Sequence, residues 1–164
     1  MHLTEGVRYE ADITRVGSML ADQDFVAAKV RASGALSQHV EVVHTSPDAF
    51  TVTTRRSMPT TGIPAQFRSL AGSSIEIRQV EAWEAQRGDE RHGTIVVEVT
   101  GAPVRLTGTL RLVAGPEGST TQHLDGDLRA SIPLFASAVE EATARAVAEA
   151  VKAEERAAAA WLAK

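Results

Sequence analysis

A long alanine-rich segment that closes the chain after a series of short strands restricts the fold more than any other sequence feature. Apolar or small residues recur there every three or four positions, which is the spacing of one face of an α-helix. These residues are Phe135, Val139, Ala142, Ala146, Ala150, Ala153, Ala157 and Trp161. At about 1.5 Å per residue, such a helix is roughly 40 Å long and can cross an entire sheet. The sequence therefore predicts a helix over Leu134–Trp161 that covers one face of a β-sheet.

Six strand-like segments precede this helix, joined by short links rich in turn residues. In order they are LSQHVEVVHT, AFTVTTRRSM, SIEIRQVEAWEA, TIVVEVTG, VRLTGTLRLVA and TTQHLDGDLRASI. Near the start of the chain, GVRYEADI alternates as a strand, and RVGSMLADQDFVAAKVRASG has the pattern of two short helices. Asp24 is the expected N-cap of the second helix, and Gly34 its stop. Consecutive strands with short links predict an antiparallel meander with one apolar face.

The last two strands carry a glycine each, and the turn between them predicts how these glycines pair. A turn over Gly115–Gly118 sets a register in which Leu106 faces Leu128. In the same register, Gly108 lies opposite Gly126 on the apolar face. Two missing side chains at one point would allow the sheet to coil there.

Composition excludes several classes of function. The 164 residues carry a formal net charge of −4 with the basic residues scattered along the chain, so we expect no nucleic-acid partner. The absence of Cys excludes disulfides and thiolate metal sites. The opening MHLTEGVRYEAD lacks the apolar core of a signal peptide, and no apolar run is long enough to span a membrane, so the expectation is a cytoplasmic protein. The length fits a single domain over residues 1–164 and leaves the oligomeric state open.

Motifs that mark common enzyme classes are missing from the sequence. There is no G-x-S-x-G elbow, no P-loop, no H-E-x-x-H and no Cys nucleophile. His39 and Glu41 share a strand face without further ligands at metal-site spacing. We therefore predict no metal site, no cofactor and no catalytic residue.

Several of these segments together resemble the START-like, or SRPBCC, superfamily, and most closely an actinobacterial family of unknown function within it. The resemblance covers nearly the whole chain and rests on VGSMLADQDFVAAKV, TGIPAQFRSLAG, QVEAWEA, GAPVRLTGTLRL and SIPLFASAVEEATARAVAEAVKAEERAAAAWL. It implies an α+β helix-grip fold, in which a curved antiparallel seven-stranded sheet wraps around a long C-terminal helix. It also implies a cavity for apolar ligands such as lipids, sterols or polyketides, since superfamily members hold such ligands and some are cyclases or dehydratases.

The small residues of the helix and sheet leave two interpretations open. Ala and Gly on the facing surfaces produce either open space or a close approach of the helix to the sheet. Close approach is an equal alternative for the second half of the helix, where Trp161 can close the end, so we expect the cavity near the first half. The expected lining consists of Val42, Phe50, Val52, Ile75, Ile77, Gln79, Val97, Leu106, Leu110, Leu128, Ile132, Phe135, Val139 and Ala142.

A few polar residues fall on the apolar face and are candidate ligand contacts. His44 is predicted to lie near Phe50 and near Glu81, which would form a carboxylate–imidazole pair suited to acid–base chemistry. The favoured interpretation is instead that polar residues at strand ends are solvated or satisfied locally. Arg56 at the other end is a candidate contact for an anionic headgroup, although a surface role is the favoured interpretation for it as well. Gln79 is the polar residue expected to project into the interior.

Three functional hypotheses follow from these features. The first is a carrier or sensor that binds a hydrophobic small molecule, lipid-like or polyketide-like, between the sheet and the helix. The second is an enzyme of the cyclase, dehydratase or hydrolase type that acts on a bound apolar substrate. The third is an interaction domain with a filled core. The segment Met58–Gly72, rich in Pro and Gly, is expected to fold over one end of the sheet and to gate the cavity mouth.

Overall fold

The computed structural model describes residues 1–63, 65, 68 and 72–164. Within these residues the chain forms seven β-strands and three α-helices. The strands are β1 (His2–Tyr9), β2 (Ser37–His44), β3 (Phe50–Pro59), β4 (Ser74–Trp83), β5 (Glu90–Val99), β6 (Val104–Ala114) and β7 (Thr120–Ala130). The helices are α1 (Ile13–Leu20), α2 (Gln23–Ala32) and α3 (Ala136–Leu162).

The seven strands form one antiparallel sheet in the order β1-β7-β6-β5-β4-β3-β2. Strands β2 to β7 are a meander, and β1 closes the series by pairing with β7. The two short helices fill the connection from β1 to β2, and α3 packs on β1, β7 and α2. The α+β helix-grip fold expected from the sequence is therefore confirmed.

The sheet has one apolar face, which α3 covers. Leu106 and Leu128 pair across β6 and β7, as do Leu110 and Leu124, and all four are buried. At the far end of α3, Trp161 meets the buried ring of Phe25 in α2 edge-on, with ring centroids 5.7 Å apart. Along α3, full burial is confined to Ala153 and Ala158, so the second half of the helix is the tightly packed half.

The predicted pairing of Gly108 with Gly126 is confirmed. A Cβ atom on Gly108 would lie 2.5 Å from the carbonyl oxygen of Asp125, and one on Gly126 would lie 2.8 Å from that of Thr107. Cβ atoms in proteins do not approach other atoms as closely as this. The two glycines thus permit a close approach of backbone to backbone and add no open volume.

Three boundaries differ from the sequence predictions. The N-cap of α2 is Asp22, not Asp24, because the Asp22 carboxylate accepts hydrogen bonds from the backbone N–H groups of Asp24 and Phe25. The first strand spans His2–Tyr9 rather than continuing to Ile13, because Asp12 caps α1 there. Strand β5 begins at Glu90 instead of Thr94, since its first residues pair with the end of β6.

The start of α3 also lies two residues later than predicted. Leu134 has a left-handed backbone, with φ of 69°, and its side chain is 98% exposed. Leu is not β-branched, so Leu134 can adopt this conformation. The chain turns at this residue before the helix begins. The helix therefore begins at Ala136, and the half-exposed Phe135 is its N-cap rather than part of its covered face.

The predicted gate over Met58–Gly72 includes residues 64, 66, 67 and 69–71, which lie outside the described residues, so it stays a prediction. The described part begins with a 3₁₀ turn over Thr60–Gly62 that follows β3 directly. The Thr60 hydroxyl donates to the Gly72 carbonyl at 2.8 Å and thus joins the two ends of the segment.

The glycine pair predicts the effect of adding one methyl group. Gly108→Ala should lower the free energy of unfolding by about 1–3 kcal/mol, because the new Cβ must push β7 away. Urea denaturation measures this change. Gly6→Ala is the matched control, since its Cβ would meet the Gln122 carbonyl at an ordinary 3.7 Å. Equal stabilities for the two variants would contradict the close approach.

Candidate functional site

A cavity of about 430 Å³ lies between the apolar face of the sheet and α3, with α2 along one side. Every strand except β2 contributes to its described lining, and α3 contributes residues between Ala142 and Glu154. This volume falls within the range that holds small organic ligands in proteins. The cavity is therefore next to the middle of α3, whereas the sequence favoured the first half of the helix, near Phe135 and Val139.

Apolar side chains form most of the cavity wall. The larger ones are Val7, Val26, Val30, Val52, Met58, Ile77, Ile95, Val97, Val99, Leu106, Leu110, Leu124, Val147 and Val151. The alanines Ala142, Ala146 and Ala150 form the α3 side. Because their side chains are short, α3 covers the sheet here without filling the space beneath it.

A buried lysine organises the polar part of the wall. Lys29, in the last turn of α2, lies with its Nζ 3.4 Å from Glu154 Oε2 and 3.6 Å from Glu81 Oε1. Burial alone would lower the pKa of Lys29, but the negative charges of Glu154 and Glu81 outweigh it and hold the pKa above its ordinary value. The ammonium group therefore stays charged and links α2 to β4 and to α3.

Each of the two carboxylates has further hydrogen-bond donors. Glu81 accepts from Gln79 Nε2 at 2.7 Å and from the indole N–H of Trp83 at 3.2 Å. Glu154 accepts from the hydroxyl of Tyr9 at 2.7 Å. Burial and the neighbouring Glu154 charge raise the pKa of Tyr9 well above its usual value, so the phenol stays protonated. The charges of this cluster are thus paired and hydrogen-bonded, as buried charges must be.

Arg56 lies on the same wall, closer to the end of β3. Its Nη1 donates to Thr54 Oγ1 at 3.3 Å, and its Nη2 donates to Gln79 Oε1 at 3.2 Å. Burial lowers the pKa of Arg56, and Glu81 partly offsets that effect. Gln79 therefore connects Arg56 to Glu81 by accepting from one and donating to the other.

The strand register explains why these side chains share one wall. Successive inward positions fall in rows that cross β3, β4 and β5. One row contains Arg56, Ile77 and Val99, the next contains Thr54, Gln79 and Val97, and the third contains Val52, Glu81 and Ile95. The polar residues thus follow β3 and β4, and the apolar residues continue onto β5 and β6.

The structure brings together part of the lining set expected from the sequence. Seven of its members line this cavity, together with two of the three candidate polar contacts, Arg56 and Glu81; the seven are Val52, Ile77, Gln79, Val97, Leu106, Leu110 and Ala142. Others lie elsewhere, namely Val42, His44, Phe50, Ile75, Leu128, Ile132, Phe135 and Val139. Leu128, Ile132 and Val139 belong instead to an apolar cluster around Val104 at one end of the sheet.

The suggested pair of His44 with Glu81 does not form. His44 lies opposite Phe50, whose partner on β4 is Trp83, so its row is one position away from that of Glu81. Its ring packs near the Phe50 ring and is exposed. Lys29 occupies the place beside Glu81 instead.

Sequence reasoning missed Lys29, Glu154 and Tyr9, although a local signal marks the first two of them. Lys29 follows Phe25 by four residues and therefore shares the buried face of α2. Glu154 follows Val151 by three residues on the covered side of α3. A charged residue within an apolar helical stripe was the sign that could have identified this cluster.

Comparison with known proteins agrees with this architecture. Residues 4–162 match the model of a family described as "Protein of unknown function (DUF2505)". No curated protein matches the chain. Among solved structures, the Zhui aromatase/cyclase from Streptomyces sp. R1128 is similar with a TM-score of 0.61 and 15% identity, over 96% of this chain and 90% of that one.

Two further structures have the same fold. The STAR-related lipid transfer protein (fragment 25–204) from Xanthomonas axonopodis gives a TM-score of 0.60 at 15% identity, over 99% of this chain and 86% of that one. A START superfamily protein from Mycobacterium smegmatis gives 0.53 at 12% identity, over 94% of both chains. At such identities the likeness shows the fold alone, and it confirms that this fold is START-like.

Within the part of the chain that the structure describes, no helix has the length and apolar character needed to cross a membrane.

The lysine between two carboxylates predicts a large mutational effect. Lys29→Met should lower the free energy of unfolding by about 3–5 kcal/mol, because it leaves Glu81 and Glu154 buried without their common cation. Chemical denaturation of the two proteins measures this. Lys152→Met, which removes an exposed lysine of α3, is the control and should change stability by less than about 1 kcal/mol. A small effect at both positions would contradict a structural role of the cluster.

The raised pKa values of Lys29 and Tyr9 predict loss of stability at alkaline pH. A group whose pKa is higher in the folded than in the unfolded protein keeps its proton longer when folded, so its contribution is lost as pH rises past the unfolded value. Those values are about 10.4 for Lys and about 10 for Tyr. The free energy of unfolding should therefore fall above about pH 10, and less steeply in Tyr9→Phe.

Tyr9 itself can be followed during this experiment. The chain contains one tyrosine, so the ultraviolet absorbance of tyrosinate reports Tyr9 alone. We expect tyrosinate to appear together with unfolding and not before it. Ionisation of Tyr9 in the folded protein near about pH 10 would contradict its buried hydrogen bond.

Proposed function

Since this chain belongs to the DUF2505 family, whose function is unknown, we propose its function from its own cavity: it binds an apolar small molecule between the sheet and α3, as a carrier or a sensor. The observation that carries this proposal is the cavity of about 430 Å³ with largely aliphatic walls. The START-like fold supports it at the level of a ligand-binding fold. The open volume beneath α3 weighs against an interaction domain with a filled core.

The small residues on α3 also support binding. Ala142, Ala146 and Ala150 face the cavity, while the second half of the helix contains the buried Ala153 and Ala158. Poor filling at the middle of the helix and close packing towards its end is the pattern expected when a helix covers a binding site and is anchored beyond it. A chain under selection for stability alone gains by filling such space.

The second candidate is an enzyme of the cyclase, dehydratase or hydrolase type, favoured by the ionisable side chains on the cavity wall. Lys29 and Tyr9 keep their protons at neutral pH and so cannot act as bases there. The carboxylates of Glu81 and Glu154 could act as bases, but each of them already forms an ion pair with Lys29. A bound molecule recovered chemically unchanged after incubation supports the carrier or sensor, and a converted one supports the enzyme.

Native mass spectrometry of protein purified from its own host tests the proposal directly. We expect a retained small molecule that extracts into organic solvent. Its identity also chooses between lipid-like and polyketide-like ligands. If no molecule is retained, binding of Nile red, a neutral apolar dye that fluoresces when it leaves water, provides the second measurement.

Filling the cavity should separate binding from stability. Ala142→Leu should weaken the binding of Nile red and leave the melting temperature nearly unchanged, because the new side chain enters open space. Ala153→Leu should instead cost about 1–3 kcal/mol of stability, because Ala153 is 1% exposed and closely packed. The exposed Ala160 provides the control Ala160→Leu, which should change neither property. A loss of stability at Ala142, with no Nile red binding by the parent protein, would overturn the proposal.

A further inference from the structure

Arg56 carries a positive charge on the cavity wall that has no carboxylate in direct contact among the residues described. The oxygens that accept its hydrogen bonds, Thr54 Oγ1 and Gln79 Oε1, are both neutral. Glu81 acts on Arg56 at longer range, with the amide of Gln79 hydrogen-bonded to both. The six residues outside the description, at positions 64, 66, 67 and 69–71, include no acidic side chain.

The two most buried cations of the described chain are satisfied in a different way. Lys29 lies between the carboxylates of Glu81 and Glu154. The guanidinium of Arg91 contacts the Asp48 carboxylate at 2.9 Å. Burial of a cation is costly unless an anion compensates it. Arg56 therefore differs from both, because its compensating anion is not in contact with it.

The geometry of Arg56 suits an anion that enters the cavity. A guanidinium has five N–H donors in a planar fork, and Thr54 and Gln79 accept from two of them. The remaining donors can bind both oxygens of a carboxylate in a bidentate pair. The apolar wall begins immediately beside it, since Ile77 and Val99 lie in the same row across the sheet.

From these contacts, and resting on the proposed function, we infer that the ligand is an amphipathic acid whose single negative charge binds to Arg56 while its apolar body lies along β5, β6 and α3. The exposed Arg145 also lines the cavity, as do four carboxylates, Glu5, Glu81, Glu149 and Glu154. The four carboxylates repel a second negative charge on the ligand, so a carboxylate fits better than a phosphate monoester, which carries up to two charges at neutral pH.

Three probes with one hydrocarbon chain test the charge requirement: lauric acid, methyl laurate and lauryl phosphate. Each is titrated against the parent protein with bound Nile red, and displacement of the dye gives the affinity. We expect lauric acid to bind about 10-fold or more tightly than methyl laurate, which is the gain typical of a charge-assisted hydrogen bond. Lauryl phosphate should bind more weakly than lauric acid. Equal binding of acid and ester by the parent protein would overturn the inference.

Arg56→Gln assigns the preference to this residue. The variant should lose the preference for the acid while its affinity for methyl laurate and Nile red stays within about twofold. Arg55→Gln is the matched control, because Arg55 is the next residue on β3 and is exposed on the opposite face. It should keep the parental preference. An acid preference that survives in Arg56→Gln would also overturn the inference.

The outcomes separate this inference from the proposed function. If the parent protein binds neither Nile red nor any laurate probe, the proposed function fails as well. If it binds Nile red, and binds lauric acid and methyl laurate with equal affinity, the proposed binding of an apolar molecule stands and the inferred role of Arg56 is wrong. If Arg56→Gln does not fold, the acid-to-ester ratio of the parent and of Arg56→Lys still decides the charge requirement, since Lys keeps the charge and loses the bidentate fork.

Discussion

The apolar face of a strongly curved sheet must be covered, and one helix with small side chains covers it. A helix with large side chains would fill the space on the concave side of the sheet. The alanines of α3 instead leave an open volume of about 430 Å³ beside the middle of the helix. The helix is held in place further along, where Ala153 and Ala158 are buried and Trp161 contacts Phe25. The position of the cavity is thus a consequence of where α3 packs closely and where it does not.

The buried cluster of Lys29, Glu81, Glu154 and Tyr9 attaches α3 to the rest of the fold at a second point. Lys29 on α2 joins β4 through Glu81 and α3 through Glu154, while Tyr9 joins β1 to the same carboxylate of α3. Buried ion pairs add little net stability compared with apolar residues of similar size. Their value here is geometric, because the partners must meet for the charges to be satisfied, and this restricts how α2 and α3 can lie over the sheet.

The sequence predicts the fold well because each of its signals is local. Alternation along β6 and β7, with a tight turn between them, is sufficient to pair Gly108 with Gly126. The polar site depends instead on contacts between residues distant in the chain, such as Lys29 and Glu154. Alternation places Gln79 and Glu81 on the inner face, but it does not show which helix supplies their partner. For this reason alternation also allows a pair of His44 with Glu81, which the register separates by one row.

Lys29 and Arg56 divide the cavity wall into two chemically different regions. Around Lys29 the charges are paired within the protein, so a ligand gains little by replacing contacts that are already made. Around Arg56 the acceptors are neutral and donors remain, so an anionic ligand adds contacts without breaking an ion pair. Of the three rows described, that of Arg56 is the nearest to the end of β3, where the Met58–Gly72 segment begins. An acid bound there would place its charged end towards that segment and its apolar body towards Leu110 and Leu124, which line the cavity deeper along the sheet.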